Sequence, residues 1–392
     1  MEIELIQSVR FSMRILTVTG PLHREFGGPP KAATGAAASL AKLGNQVKII
    51  VCGQTVNDIQ INSYFFDSLY HSGVKIEVLQ RKEVSKYGAL LRFHELKSVW
   101  RDVNESDFVI IHQVFELQNI AIFPILLLSK KPFAVMPHGS LTTYQRKQHR
   151  IRKLLFLPAT FSFLSSAKAI FVATEQEKKQ LPRFLQNKGS VVGLGIDIND
   201  RQTRVPVNSS RTFNLLFMGR IAKKKRLDIA LQAFAFAYKK SDIKMKFIVC
   251  GSGEENDVGQ LKELVLALNI ETEVEFRGWV DFAEKQLAFQ ESDCFILTSE
   301  DENFAIAAAE ALAHGIPCIL SSNVALASLV TKHNAGIVFE ELVPLEIEKA
   351  IIEIAGIDKD VLMNSSLRAA SELRWDSIAQ KWESIMKLNV NS

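Results

Sequence analysis

Twice along the chain, short runs rich in Val, Ile and Phe alternate with longer stretches of helical periodicity, and that alternation admits few folds. Parallel strands need a covering crossover between them, so strand, helix, strand in series is the signature of βαβ units. In the first half the runs are Arg14 to Val18, Val47 to Val51, Lys75 to Leu79, Phe108 to His112, Phe133 to Pro137 and Ala169 to Ala173. In the second they are Phe213 to Met218, Lys246 to Cys250, Glu273 to Arg277, Cys294 to Thr298, Pro317 to Leu320 and Gly336 to Phe339. Two such series predict an α/β chain of two Rossmann-like, doubly wound parallel sheets, each with its functional edge at the carboxyl ends of its strands. The active site is then expected in the cleft between them. The polar stretch Asp197 to Arg211, which contains Pro206 and no apolar periodicity, reads as the linker and divides residues 1–200 from residues 201–392. The last helix, near Trp375 to Leu388, carries Ile378, Trp382, Ile385 and Met386 at helical spacing and can pack on either domain.

Size and composition agree with two packed cores. The chain has 392 residues, 47% apolar and 23% charged. Cys52, Cys250, Cys294 and Cys318 form none of the close pairs that zinc or redox motifs require, so they are expected as buried, reduced thiols and no metal site is expected. The segment Met1 to Arg14 has no continuous apolar core, and the longest apolar run, Ile120 to Leu128, is short for a membrane span and contains Pro124. The expectation is a cytoplasmic protein. The net charge of +4 conceals an asymmetry: residues 1–200 hold 25 Lys/Arg against 16 Asp/Glu, and residues 201–392 hold 22 against 27. An anionic partner is expected for the first half.

The most informative segment is Glu300 to Leu320, reading EDENFAIAAAEALAHGIPCIL. Its helix is expected to start near Phe304, just after a strand, so that free backbone N–H groups face the functional edge and can hold a diphosphate. Ala305, Ala307, Ala308 and Ala309 let that backbone approach a ligand closely. Glu302 at the mouth and Glu310 further along are acceptor-only groups suited to sugar and ribose hydroxyls. The plain alternative is a helix whose acidic residues complement its dipole.

The spacing of Glu302, seven residues and Glu310, followed by Ala311 and the turn Gly315-Ile316-Pro317, resembles the Glu-x7-Glu signature of the family 4 retaining glycosyltransferases. The resemblance runs from about Met13 to the end of the chain and implies the GT-B fold. It implies that Glu302 contacts the transferred sugar, Glu310 the ribose, and the backbone of Asn303, Phe304, Ala305 and Ile306 the diphosphate. A second matching element is the basic turn Gly219 to Arg226, where the family pattern assigns phosphate-clamping roles to Arg220 and Lys225; Lys223 and Lys224 are expected to be solvated. Two fixed cations can neutralise a leaving diphosphate and make a metal unnecessary.

Glu25-Phe26-Gly27-Gly28-Pro29-Pro30, ahead of an expected helix from Ala32 to Leu43, looks like the family's diglycine loop, which brings Gly27 and Gly28 to the donor. His138, in His138-Gly139-Ser140, matches the family histidine near the transferred sugar and is placed with Glu302 among the catalytic residues. Gly251-Ser252-Gly253 and Gly278-Trp279-Val280 resemble loops around base and ribose, and Gly195-Ile196-Asp197 the Gly-x-Asp that closes the first domain. There are departures. Asn303 and Ala305 stand where most relatives have Gly or Ser, and Gly, and Ser321 to Ser328 lacks the usual Gly-Gly-x-x-Glu.

The resemblance therefore implies sugar transfer from a nucleotide-diphosphate sugar, with no other cofactor, to a saccharide or lipid-linked acceptor in cell-surface polysaccharide or lipopolysaccharide synthesis. The alternatives are nucleotide-sugar epimerisation or hydrolysis, and a non-catalytic sugar-nucleotide-binding subunit. Arg146, Lys147, Arg150, Arg152 and Lys153 beside Leu154, Leu155, Phe156 and Leu157 suit peripheral contact with an anionic membrane, or form an ordinary solvated basic face. Nucleic acid is not expected as the anion, because no aromatics interleave for base stacking.

Overall fold

The strand runs sit where both faces of a sheet are covered, and their continuous burial shows it. β1 (Arg14–Thr19) is buried from its second residue onward, and β4 (Phe108–His112) throughout. The structure is a computed structural model and describes residues 12–23, 27–61, 63–82, 89–143, 145, 160–196 and 212–390. The expected linker beyond Ile196, the basic segment Arg146 to Leu157, and Glu25 and Phe26 lie outside the described residues.

Two compact units emerge, one of Met1–Gly195 with Trp375–Ser392, the other of Ile196–Arg374. In the first, β1, β2 (Gln46–Gln54), β3 (Lys75–Gln80), β4, β5 (Phe133–Met136), β6 (Ala169–Val172) and β7 (Gly189–Val191) form a parallel sheet in the order β3-β2-β1-β4-β5-β6-β7. Thr17 pairs with Ile49 on one side and Ile110 on the other, so β1 is the point at which the winding reverses. Leu16, Val18, Ile50, Val109, Ile111 and Val135 are among the residues of its core.

The second unit repeats the scheme with β8 (Thr212–Met218), β9 (Lys244–Cys250), β10 (Val274–Gly278), β11 (Cys294–Leu297), β12 (Cys318–Ser321) and β13 (Gly336–Phe339), in the order β10-β9-β8-β11-β12-β13. Its reversal lies between β8 and β11. All the expected strands are present, and β7 is added. The four cysteines are free and buried.

The helix Trp375–Val390 returns to the first unit. Trp382 is fully buried, stands edge-on to Phe171 at 5.2 Å, and donates from Nε1 to the Gly193 carbonyl at 3.3 Å. Trp375 lies so close to Gly35 and Gly195 that a Cβ there would sit 2.4 and 2.3 Å from its ring. Only glycine leaves room for the indole. Among the described residues no helix is long and apolar enough to cross a membrane.

Two expected helix starts are corrected. The first helix begins at Gly28 rather than Ala32, because Pro29 and Pro30 fit a first turn that has no use for their missing N–H groups. Gly28 is therefore helical, and Gly27 at φ 75° is the cap. The other helix begins at Ile306 rather than near Phe304, because Ala305 is left-handed at φ 65°, ψ 64°.

Candidate functional site

In the second unit the turn after β8 and the loop after β11 meet at the reversal point, where open α/β sheets bind ligands. Thr298 Oγ1 lies 2.9 Å from the carbonyls of both Lys225 and Arg226, and the Glu300 amide donates to the Lys224 carbonyl at 2.9 Å. Arg226 reaches Glu300 at 3.0 Å and also grips Asp228. These bonds fix two loops distant in sequence into one rigid edge.

On that edge Lys225 Nζ forms an ion pair with Glu302 Oε2. Burial works against ionisation of Glu302, but Lys225, Lys224 and Arg220 outweigh it and hold the carboxyl below the usual range. Lys224 is half-buried, not solvated as expected: Nζ donates to the Asp301 carbonyl at 3.2 Å, and burial lowers its pKa despite Glu302 and Asp301 nearby. Its neighbour Lys223 is exposed, and Arg220 is exposed at the mouth. The sequence pattern singled out Arg220 and Lys225; Lys224 was missed because burial cannot be read from a run of lysines.

The loop then passes through Asn303, whose Oδ1 is buried without a hydrogen-bond partner, and through Phe304, whose side chain is buried. Ala305 supplies the left-handed step into the helix Ile306–Ala313. A residue with a Cβ is strained there by about 1 kcal/mol relative to glycine, which accounts for the glycine usual in relatives. The helix has no side-chain cap and no acidic residue in its first turn, so its leading N–H groups remain available to an anion. Glu310, in its second turn, pairs with Lys285 at 2.6 Å. Beside them His314 stacks on Phe289 at 4.7 Å, and burial pushes its pKa down to about 4.

The glycine loops after β8, β9 and β10 pack backbone to backbone. The Gly219 amide donates to the Cys250 carbonyl at 3.0 Å and the Gly251 amide to the Gly278 carbonyl at 2.6 Å. A Cβ on Gly251 would lie 1.8 Å from the Gly219 carbonyl oxygen, so that position requires glycine. Trp279 beyond them is 53% exposed.

In the first unit His138 follows β5 at φ 51°. Its Nε2 lies 2.9 Å from Nδ1 of His112, and the rings stack at 5.1 Å. Burial pushes His138 down to about 3; burial, with the neighbouring His138, holds His112 well below its ordinary value. Both imidazoles are neutral at pH 7. Sequence reasoning missed two supports of this turn. One is His112 itself. The other is Glu177, whose carboxylate accepts from the Gly139 and Ala173 amides at 2.8 and 2.7 Å and so pins the backbone beside His138. Gly27 and Gly28 stand at the start of the first helix, after β1. Among the described residues no three His, Cys, Asp or Glu side chains gather as a metal site.

Residues 199–360 match the family model described as Glycosyl transferases group 1. The matched residues fall within the second unit. An uncharacterized glycosyltransferase of Methanocaldococcus jannaschii is 24% identical over 177 residues, 44% of this chain and 44% of that protein. The chain thus spans less than half the length of the first curated relatives it matches. A GDP-mannose:cellobiosyl-diphosphopolyprenol alpha-mannosyltransferase of Xanthomonas oryzae pv. oryzae is 20% identical over 380 residues, covering 94% of this chain and 95% of that protein. Among solved structures, Anabaena HepE in complex with UDP and glucose superposes with a TM-score of 0.72 at 16% identity, over 96% of this chain and 99% of that one. The fold is accordingly two Rossmann-like domains of the GT-B type.

Proposed function

We propose that this chain is a retaining glycosyltransferase whose second unit holds a nucleoside diphosphate sugar, with a saccharide or lipid-linked molecule as acceptor. The observation that carries this reading is the ion pair of Lys225 with Glu302 at the reversal point of the second sheet, within the electrostatic reach of Lys224 and Arg220. A carboxylate held ionised among three cations is neutralised in the free protein and leaves the excess positive charge for a diphosphate when one arrives. Glu302 then faces the transferred sugar, Glu310 takes the ribose hydroxyls, and the backbone from Asn303 to Ile306 holds the phosphates. The match to the glycosyl transferases group 1 model supports the same assignment. So do two relatives, one described with UDP and glucose and the other named for GDP-mannose.

In the reaction the bond between the anomeric carbon and the phosphate oxygen breaks. The acceptor oxygen bonds to that carbon from the same face, and its proton passes to the leaving phosphate. No dedicated protein base is needed. Arg220 and Lys225 stabilise the charge that develops on the diphosphate, so no metal is required.

The acceptor is proposed to be presented at the cytoplasmic face of a membrane, in cell-surface polysaccharide or lipopolysaccharide synthesis. Two first-unit helices support this by leaving Phe93, Trp100, Ile120, Leu127 and Leu128 exposed beside Lys97 and Arg101.

The test is release of nucleotide from UDP-glucose and GDP-mannose, with and without added glycoside and in the presence of a chelator, with the product's anomeric configuration read by NMR. Acceptor-dependent release in chelator with retained configuration is expected. Acceptor-independent release points to a hydrolase, an altered but unreleased sugar to an epimerase, and binding without turnover to a sugar-nucleotide-binding subunit. An inverted product overturns the retaining mechanism.

A further inference from the structure

Among the described residues, six buried side-chain atoms without a hydrogen-bond partner lie on or just after the central strands of the first sheet. They are Thr17 Oγ1 on β1, Gln54 Nε2 at the end of β2, His112 Nε2 at the end of β4, and Glu116 Oε2, Gln118 Nε2 and Asn119 Oδ1 just after it. Each of these residues is more than nine-tenths buried. In Gln54, Gln118, Asn119 and His112 the other polar side-chain atom is already bonded. Gln54 Oε1 accepts from the Leu22 amide at 2.8 Å and Gln118 Oε1 from the Ala89 amide at 3.2 Å, so each is left with an unpartnered donor. Asn119 donates to the carbonyls of Gln113 and Val114 and is left with an acceptor.

The edge is thus a mixture of neutral donors and acceptors, whereas a phosphate or carboxylate site would present donors and cations only. Hydroxyl groups, each both donor and acceptor, are the ligand chemistry that satisfies such a set.

Glu116 stands over the reversal point. It precedes the helix Leu117–Ser129, and a Cβ placed on Gly20, just beyond β1, would lie 3.3 Å from its Oε2 and 3.1 Å from Gln113 Oε1. Burial pushes its carboxyl up to about 8. The titratable groups around it do not reverse this: Cys52 on β2 feels its field, together with that of Glu77 on β3 and of the pair Arg81 with Glu95, and the histidines at the end of β4 and after β5 are neutral. Arg81 is already engaged by Glu95 at 2.7 Å.

We propose that Glu116 is an acceptor-positioning residue, hydrogen-bonding a hydroxyl of an uncharged saccharide at the β1–β4 edge of the first unit. This rests on the transferase reading and adds the acceptor's chemical class to it: the moiety seated here is a neutral sugar, and any anionic group of the acceptor lies elsewhere.

The test compares the full chain with Glu116→Gln and Glu116→Ala, using UDP-glucose and GDP-mannose as donors and a panel of methyl glycosides as acceptors. The wild-type KM for glycoside is expected to rise above about pH 8, as the acid ionises. Glu116→Gln keeps a donor at this position and is expected to bind glycoside with no such limb. Glu116→Ala is expected to raise the glycoside KM about tenfold while the donor KM stays within about twofold. If Glu116→Ala does not fold, the pH profile of Glu116→Gln carries the test.

Transfer with an unchanged glycoside KM in Glu116→Ala, or an alkaline limb that persists in Glu116→Gln, overturns the proposal and leaves the transferase reading standing. Saturation-transfer NMR of the same glycosides separates the two failures. Glycoside signals that the wild type gives and Glu116→Ala loses, in a protein that turns over neither donor, support the subsite and overturn the transfer reaction alone.

Discussion

The two sheets share a winding order around their reversal points but equip those points in opposite ways. In the second unit the edge is charged and internally compensated: Lys225 with Glu302, Lys285 with Glu310, Arg226 with Glu300 and Asp228. In the first it is neutral and uncompensated, with two unprotonated histidines, a carboxylic acid and a set of amide and hydroxyl atoms lacking partners. Paired charges can be re-paired by an ionic ligand at little desolvation cost, whereas orphaned neutral groups wait for a ligand that supplies hydrogen bonds. The fold repeats, and the chemistry is divided.

The sharpest way to break this contrast is to remove charge from the second unit. Glu302→Gln should lower kcat about 100-fold to 1,000-fold with little change in donor KM, as for loss of a group aimed at the transition state. Steady-state kinetics with wild-type values would remove Glu302 from the site. Lys225→Ala should also show its effect in stability. A carboxylate whose pKa is depressed in the fold stabilises above its unfolded value, near 4.5, and loses that contribution as the pH falls through the folded value. Urea titrations of Lys225→Ala should therefore show a shallower acid limb than the wild type.

The first unit predicts the opposite sign. Glu116 is raised from 4.5 to about 8, so the folded state holds the proton more tightly; stability is fully present below about pH 4.5 and declines as the pH rises to about 8. Glu116→Gln should abolish that decline and be more stable than the wild type at the alkaline end. Equal urea midpoints at high pH would show that the carboxyl is not held neutral. Smaller again is Glu310→Gln, expected to raise donor KM about tenfold by weakening a charge-assisted bond to ribose. The smallest is Ala305→Gly, expected to stabilise the protein by about 0.5–1 kcal/mol in thermal melts, since glycine takes the left-handed step without strain.

The first sheet's strands were legible because a buried parallel strand must be an almost unbroken apolar run, and Phe108 to His112 is one. β7 was not, because Gly189-Ser190-Val191 has neither the length nor the apolar content to stand out. In the second unit the charged residues announced themselves by motif spacing, which is how Arg220, Lys225, Glu302 and Glu310 could be named. What spacing could not give was depth. Lys224 differs from Lys223 only in what lies over it, and Glu116 has no motif around it at all; its neutral state is produced by the packing of β1, β4 and the following helix. Ala305 shows a third case, in which an apparent departure at a glycine position takes the left-handed conformation that favours glycine.

The return of the helix Trp375–Val390 to the first unit has a consequence for biosynthesis. The residues from Ile196 to Arg374 form a continuous stretch and can complete their sheet as soon as they have left the ribosome. The first unit is discontinuous, and the pocket formed by Gly35, Phe171, Gly193 and Gly195 stays open until the helix Trp375–Val390 delivers Trp375 and Trp382. The half made first is thus the half finished last. Until then the earliest-made sheet lacks its closing indoles.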